Sequence, residues 1–121
     1  MAQQPRLDLA LDTYECIVLY PGPAGRDLPE ETVRRLQADH AGYMGALQRR
    51  GVVLVAGSVD GPAREPDAPL GFGLARTGSV DDVRTVLEAD PAVRAGLYRV
   101  EVLTFHCPAG SLEFPLAKAA S

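Results

Sequence analysis

Residues 70–105 read LGFGLARTGSVDDVRTVLEADPAVRAGLYRVEVLTF, and this stretch decides the fold. Leu70 to Arg76 is predicted as a strand in which glycines alternate with Leu70, Phe72 and Leu74. Glycines inside a strand imply a sheet face closely approached by a helix, a ligand or a partner. Ser79 is placed to cap a helix, and Asp81 and Asp82 suit the positive end of its dipole. Val80, Val83, Val86 and Leu87 supply the apolar side. The helix ends near Ala89, because Pro91 disfavours the α conformation at Asp90. A short turn, PAVRAG, leads to a strand from about Leu97 to Phe105. There Val100, Val102 and Thr104 alternate with Arg99, Glu101, Leu103 and Phe105.

Working outward, the preceding half repeats the pattern of strand, helix, strand. TYECIVLY (13–20) is rich in β-branched and aromatic residues and is closed by Pro21-Gly22-Pro23. After a loop, Asp27 is a candidate N-cap, with Pro29 at an early helical position and Glu30 and Glu31 in the first turn. The helix is expected from about Pro29 to Arg50. Val33, Leu36, His40, Tyr43, Met44 and Leu47 share one face, while Gln37, Asp39, Gln48 and Arg49 lie largely elsewhere. Gly51 stops it. VVLVA (52–56) is a strand, and SVDGPAREPDAP (58–69) a loop rich in glycine and proline. Residues 1–12 read as a lead-in, 13–107 as the domain, and 108–121 as a tail whose Leu112, Phe114 and Leu116 could pack on a neighbour.

The order β-α-β-β-α-β predicts an α+β protein of ferredoxin-like type: a four-stranded antiparallel sheet with both helices on one face. So short a sheet with two apolar faces needs cover on the second, most simply from another copy about a twofold axis. A homodimer through the sheet is expected.

A formal net charge of −4 with no basic stripe argues against a nucleic-acid partner. No apolar stretch approaches the ~20 residues of a membrane span, and the opening MAQQPRLDLALD has no signal-sequence pattern. Cys16 and Cys107 are too far apart in sequence to form a close metal-ligand pair and read as thiols in a reducing, cytoplasmic setting. No metal site and no phosphate loop are expected: Gly71 and Gly73 lack the following helix that a dinucleotide motif requires.

His40 is the first candidate for chemistry, because its neighbours on the helix face point it at the sheet. An imidazole there must be hydrogen-bonded, and it serves equally as a structural group or as an acid–base. Asp90 either ends a helix or orients His40. Ser58, at the end of the second strand, makes a turn bond or holds a substrate oxygen. Tyr43 is a core aromatic or a phenolic donor. Tyr20 and Tyr98 could line a cleft, and His106 reads as a surface residue.

The segments 39–58 (DHAGYMGALQRRGVVLVAGS) and 70–105 resemble the YCII-related family, whose pattern runs histidine, helix, glycine, apolar strand, then strand, helix, Asp-Pro and Ala-Gly-Leu. The likeness covers roughly residues 13–105, and ADPAVRAGL (89–97) is its most specific piece. The end of the second strand, often Gly-Pro in the family, reads Gly57-Ser58 here. The resemblance implies a dimeric α+β barrel, with a site built from the helix-one histidine and the Asp-Pro aspartate, carried over as His40 and Asp90. One branch of the family includes an enzyme that removes chloride from a chlorinated hydroxyquinol. The expectation is therefore a cofactor-independent enzyme of lyase, isomerase or dehydrochlorinase type. His40 and Asp90 would transfer protons on a small cyclic or phenolic substrate held by Ser58 and Tyr43. The alternatives are a non-catalytic metabolite-binding dimer using the same cleft and a structural dimer with no cavity beside His40.

Overall fold

The longest pairing in the molecule joins its first and last strands. The computed structural model describes residues 10–61 and 65–114. Its elements in chain order are β1 (Leu11–Pro21), α1 (Glu30–Arg49), β2 (Val53–Ser58), β3 (Gly71–Ala75), α2 (Val80–Glu88), α3 (Pro91–Arg94) and β4 (Tyr98–Pro108). The four strands form one antiparallel sheet in the order β2-β3-β1-β4. This is the ferredoxin-like arrangement.

Register divides the side chains between two faces. Ile17 lies opposite Gly73 and Val102, and Leu19 opposite Gly71 and Val100. Ile17, Ala75 and Val102 pack with Leu47 of α1 and with Val83 and Leu87 of α2, forming the core between sheet and helices. Each of the Val, Leu and Ile side chains, fully buried, contributes about 1.5–3 kcal/mol. A second cluster joins α1 to the α3 turn through Leu36, Ala92 and Leu97. It fixes the first half of α1 beside Asp90.

Several boundaries differ from the sequence expectation. β1 begins at Leu11 because Leu11 and Asp12 pair with Pro108 and Cys107, in the extended end of β4. Asp27 does not cap α1. Its amide closes a turn on the Ala24 carbonyl at 3.0 Å, and Pro29 occupies the N-cap position with no side-chain hydrogen bond. The PAVRAG segment contains a one-turn helix, α3, capped by Asp90. Ser79 caps α2 as expected, its hydroxyl accepting from the Asp82 amide at 3.1 Å.

Two glycines allow β1 to leave the sheet close under the α3–β4 turn. Gly96 has a φ of 81°, a conformation that suits glycine. A Cβ on Gly22 would stand 2.3 Å from the Gly96 carbonyl oxygen. The amides of Gly22 and Ala24 donate to the carbonyls of Leu97 and Gly96 at 2.8 and 2.9 Å, locking this crossing beside Tyr98.

The other sheet face is only partly covered. Tyr14, Leu74 and Cys107 are buried there beneath Leu112 and Phe114, so these two tail residues pack on the chain's own sheet. Leu116 lies outside the described residues. Beyond the tail, Phe72, Leu103 and Phe105 remain 45, 48 and 40% exposed. Cys16 and Cys107 are free, and partial burial pushes the Cys16 thiol above its ordinary value. No helix among the described residues is long and apolar enough to cross a membrane.

Candidate active site

α1 lies over the sheet with a cavity of about 390 Å³ between them. Its floor is β3 and β1, where Gly71 and Gly73 present no side chains toward α1 and Leu19 and Val100 supply apolar walls. The glycines also answer a requirement of the sheet itself. β2 is irregular between Val53 and Val55, and a Cβ on Gly73 would lie 2.9 Å from the Val55 carbonyl oxygen. The alternation seen in the sequence therefore keeps the strands close and leaves the floor flat.

His40 and Asp90 both line this cavity, and the structure brings them together although they are 50 residues apart. His40 Nδ1 is hydrogen-bonded to Asp90 Oδ2. The imidazole side chain is 20% exposed and the carboxyl 1%. The other carboxyl oxygen, Oδ1, accepts from the Ala92 amide at 2.9 Å, so one side chain caps α3 and holds the imidazole. A carboxylate accepts and does not donate, which places the ring proton on Nδ1 and leaves the Nε2 lone pair available to a ligand. The Tyr98 ring packs edge-on against the imidazole, with centroids 5.0 Å apart at 68°. His40 is thus held from two sides before any ligand arrives.

The remaining candidates separate. Ser58 lines the cavity from the end of β2, in register with Gly71. Tyr43 does not line it: the hydroxyl donates to the Val86 carbonyl at 2.6 Å, tying α1 to α2. The reason is angular. A step of three residues turns a helix by about 300°, so Tyr43 sits about 60° round from His40, on the side facing α2. Gln48, placed on the outer face from its sequence position, instead reaches the rim of the cavity. Tyr98 also lines it. Its only sequence signal was an aromatic residue at the start of a strand. Tyr20 is in cation–π contact with Arg99, whose Cζ lies 4.2 Å from the ring centroid. His106 is exposed, with Nδ1 3.2 Å from Thr13 Oγ1.

A buried carboxyl not anticipated from sequence, Glu15, lies on the same sheet face as Ile17. It accepts from the Thr77 amide at 2.7 Å and the Thr77 hydroxyl at 2.8 Å, which anchors the turn between β3 and α2. No group of three or more metal-ligating side chains occurs among the described residues.

A family model for the YCII-related domain matches residues 14–106. The chain belongs to the YCII-related family. No curated protein matches this YCII-related sequence. Among solved structures the chain is similar to 5-chloro-2-hydroxyhydroquinone dehydrochlorinase, TftG, from Burkholderia phenoliruptrix AC1100 in complex with 2,5-dihydroxybenzoquinone. The identity is 18% and the TM-score 0.44, over 78% of this chain and 95% of that one. It is also similar to a variant of SnoaB, a cofactor-independent oxygenase from Streptomyces nogalater. There the identity is 13% and the TM-score 0.44, over 86% of this chain and 98% of that one.

Proposed function

We propose that this YCII-related protein is a cofactor-independent enzyme that moves protons on a small cyclic or phenolic molecule, in a reaction of lyase, isomerase or dehydrochlorinase type. The observation that carries this reading is the Nδ1 bond of His40 to Asp90 at the wall of a cavity large enough for a ring. His40 Nε2 takes a proton from a substrate hydroxyl or an acidic C–H. Asp90 stabilises the imidazolium that forms. In an isomerisation His40 returns that proton to a different atom. In a dehydrochlorination the electrons of the deprotonated O–H or C–H bond form a new C=O or C=C bond, chloride leaves with the C–Cl electron pair, and His40 passes the proton to water, so that HCl is lost overall. Ser58 holds a substrate oxygen. Tyr43, whose hydroxyl is committed to Val86, takes no part in this scheme, and Tyr98 stands in its place beside the imidazole.

The protein acts as a homodimer through its sheet, because Phe72, Leu103 and Phe105 leave an apolar patch on the outer face that a second copy would cover. Two free thiols suit a reducing, cytoplasmic setting. The test is a turnover screen of phenols, lactones and halogenated aromatics, followed by proton and chloride release, with His40→Ala run in parallel. The variant is expected to lose turnover by about 10²–10⁴-fold while its circular dichroism is retained, and to melt lower because the buried Asp90 loses its partner at Oδ2. Full activity in that variant refutes the catalytic role, and ligand binding without turnover by the wild type identifies a binding protein.

A further inference from the structure

A second cavity, of about 720 Å³, takes no part in the scheme above. Three elements agree in placing it beyond the His40 end of the first. On α1, His40, Met44 and Gln48 line the first cavity, and Gln37, about one turn before His40, lines the second. On β1, Ile17 and Leu19 line the first, and Pro21 and Gly22 the second. On β4, Val100 lines the first, Leu97 the second, and Tyr98 both. Leu70 is the other shared residue, tied to β1 by its amide, which donates to the Leu19 carbonyl at 2.7 Å. The two spaces therefore meet at Leu70 and Tyr98, and it is the Tyr98 ring that packs on the imidazole of His40.

The second cavity carries a charge that the first lacks. Among the described residues, Arg26 is the one arginine or lysine lining either. Its loop is fixed against β4: the Asp27 amide donates to the Ala24 carbonyl at 3.0 Å, and a Cβ on Gly25 would lie 3.6 Å from the Leu97 carbonyl oxygen. Arg26, Gln37 and Asp67 all line this cavity, and none has a hydrogen bond or ion pair among the described residues. A guanidinium with its planar fork unclaimed matches a carboxylate, which it can hold through two parallel hydrogen bonds. Asp67 opposes a dianion such as phosphate more strongly than a single negative charge.

We propose that the second cavity is a subsite for a carboxylate carried on a side arm of the substrate. The reacting ring lies against His40, the arm passes between Leu70 and Tyr98, and the carboxylate pairs with Arg26, with the Gln37 carboxamide donating a further hydrogen bond. Anchoring a remote charge orients the ring before any proton moves. The inference rests on the reading of His40 as the proton-handling group, and it adds the charge of the substrate and the direction in which its arm runs.

The test uses para-hydroxyphenylpropionate and its primary amide as probes on the full-length protein at neutral pH, where the acid is ionised. The two share ring, arm and shape and differ in charge. Binding is followed by calorimetry and by the ring resonances of His40. Both probes are expected to move those resonances, and the acid to bind about tenfold more tightly, a modest gain because Arg26 is exposed. Arg26→Gln, at an exposed position outside the core, is expected to bring the probes level by weakening the acid alone. Asp67→Asn is expected to tighten the acid and leave the amide unchanged, since it removes the opposing charge. Equal affinities in the wild type, a preference that survives Arg26→Gln, indifference of the acid to Asp67→Asn, or binding of neither probe up to its solubility limit would overturn the subsite. Those results leave the reading of His40 to its own turnover test. If instead the acid depends on Arg26 but neither probe disturbs the His40 resonances, the carboxylate subsite stands and the placement of the ring beside His40 fails.

Discussion

Substituting Asp90 by alanine or by asparagine separates two things that its carboxyl does at once. Alanine removes the cap on α3, worth about 1 kcal/mol, and a hydrogen bond between charged or polarised partners, worth about 1.5–3 kcal/mol. The carboxyl is almost completely buried, so solvent does not replace either partner. Asp90→Ala should therefore lower stability by about 2.5–4 kcal/mol, read from the midpoint of urea unfolding. Asparagine keeps the Oδ1 bond to the Ala92 amide and must turn its NH2 toward His40 Nδ1. A donor in that place can be met only by a lone pair, so the ring proton moves to Nε2. Asp90→Asn should cost about 1 kcal/mol, retain the fold, and lose about 10²–10⁴ in turnover, because the nitrogen facing the cavity has become a donor. Long-range proton–nitrogen correlation spectra of the His40 ring distinguish the tautomers directly. The reasoning is refuted if Asp90→Asn keeps the wild-type ring pattern, or if it destabilises as much as alanine does.

Three further outcomes follow from other contacts. Tyr43→Phe should cost about 0.5–1 kcal/mol in urea unfolding, since the Val86 carbonyl keeps the Ala89 amide at 3.3 Å, and should leave the His40 resonances in place. Gly22→Ala should cost about 3 kcal/mol, because its Cβ would meet the Gly96 backbone with no flexible side chain to give way; wild-type stability would disprove that crossing. On the proposal of a homodimer through the sheet, Leu103→Asp on the outer face should weaken self-association roughly 10³-fold in sedimentation equilibrium, from ~2 kcal/mol lost in each copy across a twofold interface, and a monomeric wild type would refute the proposal. An unchanged dimer would place the interface elsewhere.

The order of elements was legible because each is marked locally. Alternation and β-branching mark TYECIVLY, and three- and four-residue steps mark the helix carrying His40. What escaped were features set by distant partners. Leu11 joins β1 only because Cys107 and Pro108 continue β4 opposite it, and no local pattern records that pairing. Asp27 has the chemistry of a cap but lies two residues before the N-cap position, held by Ala24. His40 and Asp90 were separately visible, one from its helix face and one from its place before Pro91. Tyr43 and Gln48 exchanged roles because a helix face spans more than 100° of arc. One edge of that arc looks at α2 and the other at the end of β2. Glu15 gave no sign, since a carboxylate satisfied by Thr77 depends on a turn formed 62 residues later.

The paired glycines of β3 have a consequence for how such a protein could diverge. Any side chain added at Gly73 would strike backbone of the neighbouring strand, and at Gly71 it would crowd Leu19. The bottom of the chamber is therefore closed to variation. On the helix opposite, a methyl at Gly45 would press only on the mobile end of Arg49. New ligand preferences should arise by exchanging residues 41, 44, 45 and 48 along the roof, with the glycine strand inherited unchanged beneath them.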